Sequence, residues 1–466
     1  MARSLLVREL DWIEPEWLAA ALRRRFEGVF WLDSAREGDP RSRYSYLGAD
    51  PFLELRSKNG QIRLGERAFT GDPFALLRRL LADWRQPHEP GLPPFQTGLV
   101  GCFGYDLCHH LERLPAPPAD PLAFPDLLAG FYDVIFACDL RARRLFLLSS
   151  GLPEPPGAAR AWRQRRRLEC FLEVAQEVEE PAAPDSLERP LAIHADFSRA
   201  EYERAVARVV EYVHAGDIFQ ANLAQRFSAE LQPPLDPFLL HRRLRRVNAA
   251  PFAAFLEFGE LALASASPER FLELRGRRVE TRPIKGTRPR AEDPEEDARL
   301  ARELCESDKD RAENVMIVDL LRNDLSRVCR DHTVEVPELC TLESFATVHH
   351  LVSAVRGELL PERDAVDLLR AAFPGGSITG APKIRAMEII AELEPVRRGP
   401  YCGAIGWIGF DGWMDTNIVI RTFVIRGRQV TFHVGGGIVA DSDPAAEYRE
   451  TLDKARGLVR ALRGWT

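Results

Sequence analysis

The chain has 466 residues, 45% of them hydrophobic and 29% charged, with a formal net charge of −7. That composition belongs to a globular protein with material for a large core, and the acidic balance excludes a nucleic-acid binder that works by neutralising phosphates. No apolar run approaches the roughly 18 residues of a membrane span. The start, Met1 to Leu6 followed by Glu9, Asp11 and Glu14, lacks the apolar core of a secretory signal, so a cytoplasmic location with no membrane partner is expected.

Residues 1–190 read as one region. Runs such as Phe30-Trp31-Leu32 and Val134-Ile135-Phe136-Ala137 between Pro- and Gly-rich turns predict strands, and proline-dense residues 87–125 predict ordered loops. The acidic, Pro-containing stretch 177–190 marks a boundary, dividing the chain into 1–190 and 191–466. Ser198 caps a predicted helix in which Tyr202, Val206, Val209 and Val213 recur at helical spacing up to Gly216. Strands are expected over 252–274 and 279–284. Asp293-Pro294-Glu295-Glu296 opens a helix with acids at its positive end, and Ser307 opens another that carries Glu313. Three antiparallel strands follow over 405–410, 416–426 and 429–434, then a last helix from Asp443-Pro444 through Leu462. Strands and helices come in blocks without strand–helix alternation, which predicts an α+β fold with large, mostly antiparallel sheets.

Two residue types bear on chemistry. The eight cysteines, at 102, 108, 138, 170, 305, 329, 340 and 402, include no Cys-x-x-Cys pair and read as reduced thiols. Of 63 basic residues only five are lysine: Lys58, Lys285, Lys309, Lys383 and Lys454. Arginine stays protonated in a protein whereas lysine need not, so each lysine is a candidate for chemistry.

In Thr281-Arg282-Pro283-Ile284-Lys285-Gly286-Thr287-Arg288 a lysine ends a predicted strand and meets a glycine turn among arginines. It is either an exposed loop lysine or an amine whose proton is loosened by burial and neighbouring charge. Bringing a lysine from about 10.4 to near neutrality takes on the order of 4 kcal/mol and yields a nucleophile. Glu447, Glu450 and Lys454 share one face of the last helix. They form either a solvated face or a carboxylate pair gathered on a cation such as Mg²⁺. Gly435-Gly436-Gly437 just before it reads as a turn, plain or shaped for close approach of an anion. The segment from Gly375 to Lys383 has Pro382 where a phosphate-binding loop needs glycine, which rejects a nucleotide site. Glu269 and the His349-His350 pair stand alone in the sequence. Lys309 reads as structural and Lys58 as an ordinary turn residue.

Taken in order, these blocks resemble the chorismate-utilising enzymes. The match runs over about residues 195–456, through Gly216–Leu223, Ser267–Phe271, Pro283–Arg288, Asp310–Met316, His350–Ser353, Gly375–Glu388, Asp415–Thr422 and Gly435–Lys454. The first 190 residues are similar more loosely, through Leu32-Asp33-Ser34, Arg43-Tyr44-Ser45 and Gly104–Leu107. The resemblance implies sheets packed as a sandwich with helices outside. It also implies that Glu313 and Glu450 hold Mg²⁺ directly, with Glu447 acting through water. Lys454, Arg421, Tyr401 and the Gly435–Gly437 amides would bind the carboxylates of chorismate; Gly286, Thr287, His350 and Ser377 would line the pocket.

Two positions then sort the branches of the family. Where the isochorismate and salicylate synthases carry a lysine base, this chain has Gln220, which cannot abstract a proton from water. The Pro-Ile-Lys-Gly-Thr form resembles the aminodeoxychorismate synthases, which implies Lys285 as nucleophile at C2 and Glu269 as general acid/base. The alternative is an anthranilate synthase large subunit. None of the cysteines has the G-x-C-x-G setting of a glutamine amidotransferase, so a separate amidotransferase subunit is expected to supply ammonia, and a separate aminodeoxychorismate lyase to act on the product. Ser34, Arg43 and Tyr44, with Pro251, Phe252 and Ala253, resemble the tryptophan pocket of the family.

Overall fold

The computed structural model describes residues 5–36, 38–183, 191–233, 235–345 and 348–463. Two antiparallel sheets of 12 strands each organise the chain. The first runs from the edge strand Leu6–Leu10 through Val134–Asp139, Val29–Asp33, Phe252–Phe258, Leu261–Ser267, Thr422–Arg426 and Gln429–Ile438 to Gln220–Glu230. The second runs from Ile284–Pro289 through Val348–Glu358, Arg270–Arg275, Met414–Ile418, Ala404–Gly409 and Gly98–Phe103 to Leu127–Tyr132 and the Leu53–Lys58 hairpin.

The central strands Gly98–Phe103, Leu127–Tyr132, Val134–Asp139, Leu261–Ser267 and Ala404–Gly409 are buried at every residue. Such continuous burial requires cover on both faces of a sheet. On the inner faces, Phe30, Ile135, Leu256 and Leu263 of the first sheet meet Val100, Leu128, Tyr132, Ile405 and Trp407 of the second in one layer. The outer face of the first sheet lies under helices Pro15–Arg25, Ala158–Gln176, Pro237–Val247 and Pro444–Arg463. That of the second lies under Pro73–Asp83, Asp308–Ser326 and Ala365–Ala372. This is the expected α+β sandwich with helices outside. No helix among the described residues is long and apolar enough to cross a membrane.

Both sheets draw on both sides of the expected boundary near 190. Val29–Asp33 pairs with Phe252–Phe258, and Gly98–Phe103 pairs with Ala404–Gly409. The acidic stretch follows helix Ala158–Gln176 and precedes strand His194–Ala195, and its residues 184–190 lie outside the described ones.

Several local expectations change for identifiable reasons. The stretch 87–125, read as loop, contains the buried strand Gly98–Phe103, whose two glycines depress its apparent strand propensity. The region 1–190 also contains the helices Pro15–Arg25, Pro73–Asp83 and Ala158–Gln176. Ser198 does cap Arg199–His214, in a reciprocal capping box with Glu201. The run 416–426 breaks into Met414–Ile418 and Thr422–Arg426, because the chain changes sheet between them. Gly435–Gly437 is the interior of strand Gln429–Ile438, paired to Gln220–Glu230, and not a turn.

Phe30 is fully buried between the sheets, with its ring 4.5 Å from that of Tyr132. Phe30→Ala is expected to lower stability by about 3–5 kcal/mol in urea unfolding, whereas Phe69→Ala, at an exposed strand, should change it by less than about 1 kcal/mol. Equal effects would contradict the inter-sheet layer as a major source of stability.

Candidate functional site

The chain passes from the first sheet to the second at Pro268-Glu269 and returns at Val419–Arg421. The two crossings are tied together: the Ile418 amide donates to the Glu269 carbonyl at 3.0 Å and the Ala266 amide to the Arg421 carbonyl at 3.1 Å. Ser267 Oγ adds a hydrogen bond to the Ile418 carbonyl at 2.6 Å. A cavity of about 640 Å³ opens beside these crossings.

All the expected catalytic, substrate and metal residues except Gly436 line this cavity: Lys285, Glu269, Gly286, Thr287, His350, Ser377, Tyr401, Arg421, Gly435, Gly437, Lys454, Glu313, Glu447 and Glu450. Gly436 stands immediately beside it. A Cβ there would lie 3.3 Å from carboxylate oxygens of both Glu447 and Glu450, and 3.6 Å from Lys454 Nζ.

Lys285 lies inside strand Ile284–Pro289 and not at a strand end. A bulge between Lys285 and Thr287 against Val348–Glu358 replaces the expected turn. Gly286 makes the bulge: its φ is +78°, and a Cβ would sit 2.8 Å from Leu304 and 3.0 Å from Asp310. Burial lowers the Lys285 ammonium below its ordinary value, against the opposing pull of Glu313 and Glu269. Its Nζ is 3.8 Å from Glu313. Burial pushes the Glu269 carboxyl up to about 7, although Ser377 Oγ donates to it at 2.9 Å and Lys285 lies near. The site thus holds an amine that protonates less readily beside an acid that ionises less readily.

Thr287 Oγ1 pairs with His350 Nδ1 at 2.9 Å, and burial brings that imidazole down to about 4. Tyr401 stacks on His433, with ring centroids 5.0 Å apart. Arg421, at φ +50°, is anchored by Asn248 Oδ1 at 3.2 Å.

The helices bring in the acids. Glu313 comes from Asp308–Ser326, and Glu447, Glu450 and Lys454 from Pro444–Arg463. Lys454 Nζ bonds Glu450 at 2.7 Å and the Gly435 carbonyl at 2.9 Å. Burial raises the Glu313 and Glu447 carboxyls. For Glu450 burial acts in the same sense, but Lys454, Lys309 and Lys285 together outweigh it and hold the group below its ordinary value. Among the described residues no three His, Cys, Asp or Glu side chains are close enough to share one ion. Glu447 and Glu450 do converge beside Gly436, and Mg²⁺ accepts one or two carboxylates completed by water and substrate oxygens. The donor chemistry therefore fits that ion, with Glu313 standing apart beside Lys285.

The structure adds lining residues that sequence reasoning missed, notably Lys309, Asn222 and His433. Lys309 lies four residues before Glu313 on the same helix face, and His433 two residues before Gly435 on the same strand face, so both were open to periodicity arguments. The other two lysines are tied into ion pairs with aspartates. Lys58 ion-pairs with Asp120 at 2.5 Å and Asp126 at 2.9 Å, where a turn residue was expected. Lys383 is held by Asp324 at 2.5 Å and the Ala372 carbonyl at 3.0 Å. Gln220 is buried against Gly437 and outside the cavity lining. Ser34, Arg43, Tyr44, Pro251, Phe252 and Ala253 all line a second cavity, of about 380 Å³, which also carries Arg270, Glu273 and Asp415.

A sequence model of the family described as chorismate binding enzyme matches residues 27–460. Aminodeoxychorismate synthase component 1 of Klebsiella aerogenes is 45% identical over 90% of each chain. Anthranilate synthase component 1 of Thermus thermophilus is 44% identical over 93% of this chain and 92% of its own. The crystal structure of anthranilate synthase component I from Streptococcus pneumoniae superimposes with a TM-score of 0.80 at 33% identity, covering 91% of this chain and 93% of that one.

Gly286→Ala is expected to destabilise more than Gly276→Ala in thermal unfolding. Both glycines have positive φ, but only the Gly286 position has neighbours that a methyl would strike. Strain alone is worth about 1–2 kcal/mol, which Gly276→Ala should show; the same loss in both variants would mean that the bulge is not tightly packed.

Proposed function

The chain belongs to the chorismate binding enzymes, and within that family we propose that it makes 4-amino-4-deoxychorismate from chorismate and ammonia. The observation that carries this reading is Lys285, buried in the cavity with its proton loosened and the Glu269 carboxyl nearby. A lysine held protonated at a surface would be no nucleophile.

In the first step Lys285 Nζ, neutral, bonds to C2 of chorismate. Both ring double bonds shift by one position and the C4–O bond breaks, and Glu269 gives its proton to the departing hydroxyl, which leaves as water. In the second step ammonia bonds to C4, both double bonds shift back and the C2–N bond breaks. Lys285 returns as the free amine, Glu269 regains its proton from the incoming nitrogen, and the enolpyruvyl ether is untouched. Two displacements accomplish a substitution that one poorly leaving hydroxyl would resist. Arg421, Lys454 and the strand amides at Gly435–Gly437 are assigned to the two substrate carboxylates, with Tyr401, His350, Thr287 and Ser377 shaping the walls. Mg²⁺, which Glu447 and Glu450 would hold, would neutralise the ring carboxylate. We assign the ammonia supply to a separate glutamine amidotransferase subunit and aromatisation of the product to a downstream lyase. The second cavity, lined by both signs of charge, suits a zwitterion such as tryptophan.

The second reading, an anthranilate synthase component, is favoured by the nearly equal identity to the Thermus thermophilus relative. Purified protein with chorismate, Mg²⁺ and ammonium is expected to yield 4-amino-4-deoxychorismate by chromatography and mass analysis; anthranilate would establish the second reading. Lys285→Ala is expected to lose most amination at C4, and unchanged rate and product would remove Lys285 from the chemistry.

Glu269 must be protonated to release the hydroxyl, and its folded value of about 7 places the alkaline fall of kcat/KM near there. Glu269→Gln is expected to lose about 10²–10⁴ in kcat together with that alkaline limb. Retention of the limb would assign it to another group.

A further inference from the structure

Behind the cavity wall lies an ion pair that sequence reasoning did not single out. Arg398 and Glu394 are 2% and 4% exposed. Arg398 Nε and Nη2 reach the two Glu394 oxygens at 2.9 and 2.6 Å. The rest of the guanidinium fork goes elsewhere: Nη1 donates to the Ile378 carbonyl at 3.0 Å and Nη2 to the Asn222 carbonyl at 2.6 Å. Glu394 in turn accepts from the Ala224 amide at 2.9 Å. The guanidinium carbon sits 4.9 Å from the Tyr105 ring centroid and 5.6 Å from that of Tyr401.

Stability alone is a poor reason for such a pair, because desolvating two charges commonly cancels their attraction and a well-packed apolar pair does as well. The choice of acceptors is more informative. Asn222 and Ile378 both line the catalytic cavity, and Ile378 follows Ser377, whose hydroxyl holds the Glu269 carboxyl. One planar group therefore spans the strand Gln220–Glu230 and the turn Gly376–Ile378. Only arginine offers that many donors in a fixed plane.

We propose that Arg398, braced by Glu394, is a positioning residue that fixes the separation of the Asn222 strand and the Ser377 turn, and through Ser377 aims Glu269 at the substrate. The proposal rests on the reading of Glu269 given above. Arg398 touches no reacting atom; it acts by holding a wall in register, where displacements well under 1 Å are felt in rate.

A double-variant cycle tests this. Arg398→Lys keeps the charge opposite Glu394 but cannot reach both carbonyls at once. It is expected to lower kcat at least tenfold with KM changed less than threefold. Ser377→Ala should do the same, and the combined variant should be no slower than the worse single one, because both remove one link of a chain. Wild-type kcat in Arg398→Lys, or losses that multiply in the combined variant, would overturn the proposal. If Arg398→Lys does not accumulate as folded protein, Glu394→Gln with Ser377→Ala completes the same cycle under the same criteria. Rates are followed as disappearance of chorismate. A wild type that forms anthranilate would then correct the product assignment alone, whereas one that consumes no chorismate would overturn both readings.

Discussion

Two backbone hydrogen bonds between chain crossings, Ile418 to Glu269 and Ala266 to Arg421, govern how the molecule is put together. A sandwich of two large sheets has its hydrophobic layer inside, and each passage of the chain from one sheet to the other must open that layer. Pairing these two crossings brings their openings together and satisfies the polar backbone that they expose. The result is a cleft whose edges come from different sheets: Gly435–Gly437 from one, Lys285 and His350 from the other. The acid and the arginine enter at the crossings themselves, which explains why residues 152 positions apart, Glu269 and Arg421, belong to one site.

The electrostatics of the cleft run against those of the chain. The protein is net acidic, yet three lysines and Arg421 line the cavity, and a local arrangement of charge governs a bound anion more strongly than the distant total. The glutamates temper this field. Each is close enough to a lysine to feel its charge, and burial acts on all of them. The strand glycines matter for the same reason. Any side chain at Gly436 would occupy the space between Glu447, Glu450 and Lys454.

What could be read in advance followed from periodicity and local signals. The capped helix Arg199–His214, the last helix and the common face of Glu447, Glu450 and Lys454 come directly from spacing. The conjunction of Lys285 with Gly286 drew attention to the nucleophile candidate, although its setting is a bulge and not a turn. What spacing could not display was anything decided by pairing across the sequence. The strand Gly98–Phe103 looks like loop until its partners at 127–132 and 404–409 are known. Lys58 looks ordinary until Asp120 and Asp126 are folded against it. Arg398 is one arginine among many, and only its acceptors distinguish it.

The distribution of lysine has a practical consequence. Lys58 and Lys383 are tied into ion pairs with aspartates, while Lys285, Lys309 and Lys454 line one cavity, the last two at exposed positions. On most proteins an amine-directed acylating reagent decorates the surface indiscriminately. On this one the side chains open to such a reagent border a single chamber, because arginine supplies the positive charge elsewhere. Covalent labelling or immobilisation through lysine would therefore act as a footprint of that chamber's occupancy, and attachment chemistry meant to be innocuous would plug its mouth.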